Sequence, residues 1–235
     1  MHKFLMTTVV LLLVGASAFA QNFVNPANAF SHKKTAYITL TDGTQLTGTI
    51  RDIDRKKGLI EEIKMDLDGG GREKIDPADV AFAYLPPTAA SKLNRGLDYL
   101  TDATKWDRQD LDADIIGQGY CYFEATEVRI KNKTRNLLMQ LMNPHFSSKV
   151  RVYHDPFANE TMSIGVAGID VAGGLAKSYY IKIGDAAAYK VKKNAYNEEC
   201  QIIFAGCDAV LSDEDMGVWR DFEGHVYQYS QECGE

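Results

Sequence analysis

Histidine, tryptophan and cysteine are all scarce in this chain of 235 residues, with five, two and four copies. Four histidines lie beyond the N-terminal segment: His32, His145, His154 and His225. They are far apart and form no His-x-x-x-His pair, which excludes a helical zinc site of that spacing. The chain also lacks a Gly-x-Ser-x-Gly elbow and a phosphate-binding Gly-Lys-Ser/Thr loop. Gly165-x-x-Gly168 and Gly173-Gly174 do not open a helix and read as hairpin turns. Base is not in surplus: 26 Lys and Arg stand against 32 Asp and Glu, for a net charge of −6. Such a balance is poorly suited to general binding of nucleic acid, which needs excess Lys and Arg against phosphates. Long apolar runs are missing after the first twenty residues, so no membrane span is expected there.

The N-terminus carries the clearest signal. Lys3, the apolar run Phe4 to Val14 and the small-x-small triplet Ala18-Phe19-Ala20 follow the order of a secretory signal peptide. The apolar run is short for a transmembrane anchor. The expectation is an exported chain, periplasmic or secreted, beginning near Gln21. Since Gln21 is not cysteine, lipidation at that point is not signalled. Removing Lys3 with the leader shifts the charge from −6 to −7. With 45% apolar residues the remainder is long enough to bury a real core.

Four cysteines in an exported chain favour disulfides. Cys200 and Cys207 flank an expected helix and stand about 10 Å apart along it, beyond disulfide reach. The pairing expected is therefore Cys207 with Cys233, and Cys121 with Cys200.

Residues 21–34 read as an extended lead-in. From Ala36 the period becomes two: Ala36 to Leu40, Gln45 to Ile53, Leu59 to Leu67, Arg72 to Ile75 and Val80 to Leu85 are predicted strands. Asp42-Gly43, Lys57-Gly58 and Asp68 to Gly71 supply the turns, and Asp76 to Asp79 a helical turn. Five short strands over residues 35–87 suggest a small closed barrel, which leaves no exposed sheet edge.

The run Tyr37-x-x-Leu40-x-x-Gly43 followed by Gly48-x-Ile50-x-x-Ile53-Asp54 resembles the first signature of Sm-like and SH3-like small barrels. Ile75, Val80, Tyr84 and Leu85 loosely resemble the second. Sm-like RNA binding relies on an Asp-x-aromatic-Met-Asn loop and an Arg-Gly pair. The corresponding places here are Arg55 to Gly58 and Lys74 to Pro77, so RNA binding is not carried over.

Pro86-Pro87 ends this unit. A linker helix is expected over residues 88–106, capped by Thr88 and carrying Leu93, Leu97 and Leu100 on one face. Residues 107–235 then read as an α+β domain, mainly antiparallel with helices on one face. Gly119 to Ile130 and Val150 to Tyr153 are predicted strands, with a helix from Thr134 to Met142 between them. Further strands are expected over Met162 to Val171, Leu175 to Ile183 and Ala187 to Lys192. Helices are expected over Asn194 to Ala205 and around Trp219, Phe222, Val226 and Tyr229. Segments Lys149 to Pro156 with Glu160-Thr161, Ser178 to Lys182, Tyr189 to Lys193 and Phe204 to Cys207 resemble uncharacterised secreted proteins of Bacteroidota. The resemblance implies a bacterial cell-envelope location and no reaction.

Candidate sites are sparse. Asp110-x-Asp112-x-Asp114 has the opening spacing of a calcium loop, but Ile115 and Cys121 occupy the places of the required Gly and Glu. Asp66-x-Asp68-Gly69 also lacks the later ligands. Both read as solvated acidic loops, and neither a metal nor a cofactor is expected. His154-Asp155 is a possible base-and-orienter pair with Glu160 nearby, although neighbours on a strand point to opposite faces. His225 is expected to be structural. Arg51, Arg55, Lys56 and Lys57 form the basic patch of the barrel, suited to an anionic glycan or envelope phosphate. The leading reading is a non-enzymatic exported binding or interaction protein that meets an envelope protein or glycan. A hydrolase built on His154, Asp155 and Glu160 is the second reading, and a structural subunit of an envelope assembly the third.

Overall fold

The computed structural model describes residues 23–88, 106–158 and 176–233. The fold is α+β with antiparallel sheets. Strands β1 (Thr35–Leu40), β2 (Gln45–Lys56), β3 (Leu59–Leu67), β4 (Arg72–Ile75) and β5 (Val80–Leu85) follow the predicted boundaries closely. Asp76 caps a 3-10 turn over Pro77–Asp79 by accepting from the Ala78 amide. Helix α1 (Ala113–Gly117) precedes β6 (Cys121–Ile130) and β7 (Lys133–Gln140). Strands β8 (Val150–His154), β9 (Ser178–Ile183) and β10 (Tyr189–Lys192) come next. Helices α2 (Tyr196–Ile203), α3 (Asp208–Leu211) and α4 (Phe222–Glu232) end the chain.

Seven strands form one sheet in the order β4-β3-β2-β1-β5-β6-β7, and three form a second in the order β10-β9-β8. The large sheet is open. A closed five-stranded barrel would pair β5 with β4, but here β5 pairs with β6 from Phe82↔Glu124 to Leu85↔Cys121. The expected linker helix, the expected strand from Met162 to Val171 and Glu160 lie outside the described residues. Among the described residues no helix is long and apolar enough to cross a membrane.

The segment predicted as a helix from Thr134 to Met142 is strand β7, paired with β6 along its whole length. The physical reason is burial on both faces. Leu138 enters the core under β1–β5, whereas Met139 and the partly buried Leu137 enter the core between the sheets. A strand end covered on both sides loses its alternation, so three apolar residues in a row mimic a helix face.

The small sheet is a middle layer. Val150 and Val152 of β8, with Tyr179 and Ile181 of β9, face the helical core of Tyr196, Phe204 and Phe222. The alternate residues Tyr153 and Tyr180 face the core that joins the two sheets. Bridges Val128↔Ala188 and Leu141↔Tyr153 splice one sheet to the other. The lead-in straps them together: Phe23 is buried in the helical core, and Ala27 and Phe30 under the large sheet. The side chain of Gln140 holds it, accepting from the Ala27 amide and donating to the Asn25 carbonyl.

Cys207 and Cys233 form a disulfide with their Cα atoms 5.5 Å apart. Cys121 and Cys200 do not form a disulfide with each other; both are buried. The correction follows from where their elements pack, Cys121 under the large sheet and Cys200 in the helical core.

Candidate functional site

Two tight hairpins bring base to one place. Lys57 and Gly58 both have positive φ, 51° and 78°, and make the two-residue turn between β2 and β3. This tip packs against the chain after β8, where a Cβ on residue 58 would fall on the Pro156 carbonyl oxygen. The second hairpin joins β6 to β7 through Lys131 (φ 55°) and Asn132, with Ile130 opposite Lys133.

Between these tips and β10 lies a cleft of about 1060 Å³. Its bases are Lys56 and Lys57 from the first hairpin, Arg129, Lys131, Lys133 and Arg135 from the second, and Lys190 and Lys192 from β10. Among the described residues Glu61 is its only acid, 3.6 Å from Lys56 and well exposed. Leu59, Ile130, Phe157 and Tyr180 complete the walls. This concentration of positive charge sits on a protein of net charge −6. The compensating acid is elsewhere: residues 194–235 contain ten Asp and Glu and one arginine, Arg220.

The cleft wall is fixed from beneath by Asp155. Its carboxylate accepts from the Ser178 hydroxyl at 2.6 Å and the Phe157 amide at 3.0 Å, and pairs with Lys190 at 2.7 Å. Lys190 in turn places its ammonium over the Tyr180 and Phe157 rings, 5.3 and 5.4 Å from their centroids. Burial pushes the Tyr180 hydroxyl far above its ordinary range, with the nearby Asp155 charge acting in the same direction. Asp155, expected as a catalytic candidate, is thus committed to holding the cleft. His154 lines a separate small cavity of about 20 Å³ with Arg55, Gly58 and Pro156.

The predicted basic patch is divided. Lys56 and Lys57 line the large cleft. Arg55 turns into the small cavity, donating to the Gly58 carbonyl at 3.0 Å and lying over Phe30, and its burial lowers its pKa. Arg51 is exposed and lines neither cavity. Sequence reasoning missed the second hairpin, where four bases fall within Arg129 to Arg135. That density was visible, but the helix predicted from Thr134 divided it.

The acidic loop around residue 110 is ordered by the protein itself. Asp107 accepts from the Ser147 and Ser148 amides and the Ser148 hydroxyl. Asp110 binds Arg108 at 2.6 Å, and Asp112 caps α1 through the Ile115 amide. Arg108 reaches on to the buried Glu124, which also accepts from Tyr153 at 2.6 Å. Among the described residues no group of three or more His, Cys, Asp or Glu could hold a metal ion. His225 lies in α4, where its Nδ1 is 2.7 Å from the Tyr196 hydroxyl, and burial lowers its pKa. Compared with protein-family models, curated proteins and solved structures, the chain has no match in any of the three.

Proposed function

We propose that the chain is a non-enzymatic binding protein of the bacterial envelope that holds an anionic ligand in the basic cleft. The observation that carries this is the convergence, among the described residues, of eight Lys and Arg from two hairpins and β10 on one concavity with a single exposed acid. Convergent charge over apolar walls focuses the field and raises the local concentration of an anion. The acidic helical segment repels the same ligand, which confines binding to the cleft. Export through the N-terminal leader is part of this reading. So is the small-barrel likeness of β1–β5, taken as an opened barrel whose β4–β5 seam is not closed. The strand order β4-β3-β2-β1-β5 supports it.

The test is retention of the whole chain on an immobilised sulfated polysaccharide at low salt. Retention that is lost on raising the salt, and lost in the double variant Lys133→Glu/Arg135→Glu, is the expected result. Flow-through of the unmodified protein would overturn the reading. So would equal retention of the variant, or salt-sensitive self-association with no polyanion bound.

A further inference from the structure

We infer that the cleft takes a linear, charge-dense phosphate polymer, gripped through its oxygens and not by stacking on bases or sugar rings. The inference rests on the binding reading above and narrows its ligand class.

Three observations converge on it. First, the cleft is at the upper end of the range of small-molecule sites, about 300–1,000 Å³. A single phosphate would leave most of its volume and most of its charges unmatched. Second, six of its bases, Lys57, Arg129, Lys131, Lys133, Arg135 and Lys192, have no carboxylate within 4.0 Å among the described residues. Their neutralisation is left to counterions or to a polyvalent ligand, and exchanging counterions for a polymer favours binding by their release. Third, one face of each aromatic ring is already taken. Lys190, tied to a fully buried carboxylate, lies over both Phe157 and Tyr180. Recognition of single-stranded nucleic acid depends on open rings for its bases; here Tyr180 is buried and Lys190 takes one face of Phe157. What remains exposed is charge on two short hairpins and at Lys192 of β10, matched to a chain with closely spaced anionic oxygens.

The experiment is calorimetric titration of the whole chain with four probes at equal charge concentration. They are inorganic polyphosphate, poly(glycerol phosphate), oligothymidylate and polygalacturonate. Expected is binding of polyphosphate at least about 10-fold tighter than oligothymidylate or polygalacturonate, with a steep loss as salt rises. The ring-free poly(glycerol phosphate) distinguishes the two sources of the chemistry. If it matches polyphosphate, the natural ligand is the phosphodiester backbone of a larger polymer; if it is weaker, a free phosphate chain. Oligothymidylate or polygalacturonate binding as tightly as polyphosphate overturns the inference and leaves the binding reading standing. Failure of all four probes overturns both.

Discussion

Lys190 and Asp155 form an ion pair in which only one partner can reach water. The Nζ–Oδ2 distance is 2.7 Å, with the lysine side chain 27% exposed and the aspartate 1%. Removing either partner therefore has unequal consequences. Lys190→Met leaves an uncompensated buried carboxylate and should cost about 3–5 kcal/mol. Asp155→Asn keeps one acceptor for the Phe157 amide, turns its NH2 to the Ser178 hydroxyl, which can accept, and lets Lys190 turn to solvent, costing about 1–2 kcal/mol. Urea titration of both variants measures the difference; equal losses would contradict the asymmetry.

His145 is 5% exposed beside Phe146 and Trp106. Burial holds its pKa down to about 3, from an ordinary 6.5. The unfolded chain therefore binds a proton in the window between these values while the folded chain does not. Folding stability must rise with pH across that window and fall on acidification. His145 alone removes about 2 kcal/mol at pH 5. His225 adds in the same direction, because burial lowers it against the opposing charges of Asp213, Asp221 and Asp215. His145→Gln should flatten the acid limb of a stability–pH curve recorded by chemical denaturation; an unchanged slope would refute the assignment.

Gly58 and Gly43 both have left-handed φ, 78° and 87°, but only Gly58 is closely approached. Gly43→Ala has open space and should cost about 1 kcal/mol of backbone strain. Gly58→Ala meets the Pro156 carbonyl as well, so its loss should be at least about 2 kcal/mol, with weakened polyanion binding because the hairpin tip is displaced. Thermal unfolding of the two variants side by side separates strain from clash.

The thiol inventory is directly checkable. Alkylation after unfolding without reductant should modify Cys121 and Cys200 and leave Cys207 and Cys233 untouched. In the folded protein Cys200 should react slowly, since burial raises its thiol pKa. Reducing the disulfide, whose cysteines are 26 residues apart, should lower stability by about 3 kcal/mol. Four reactive thiols, or none, would contradict the arrangement.

Legibility followed the range of the interaction. Strands β1 to β5 and their turns could be read because their information is local: alternation, Asp42-Gly43, Lys57-Gly58 and the Asp76 cap act within a few residues. The Cys207–Cys233 pair was partly accessible, since a helix cannot bring Cys200 to Cys207, which leaves two of the three pairings open. Strand β7 was not legible, because its last residues are buried in two different cores and its pattern loses the period of two. The acidic loop could be read as solvated, since Asp110, Asp112 and Asp114 are exposed, but the hold of Asp107 on Ser147 and Ser148 could not, because those partners lie 40 and 41 residues away.

By itself, then, the sequence determined the small strands, the helices α2 and α4, the α+β class and the presence of the bases. Tertiary structure alone decided that Lys57, Lys131 and Lys192 share one cleft, that Arg55 leaves it and that Asp155 supports it. Hairpin turns and apolar periods are set by neighbours a few residues apart. A cleft is set by how two sheets are spliced at Val128 and Tyr153, and that packing depends on side chains far apart in the chain.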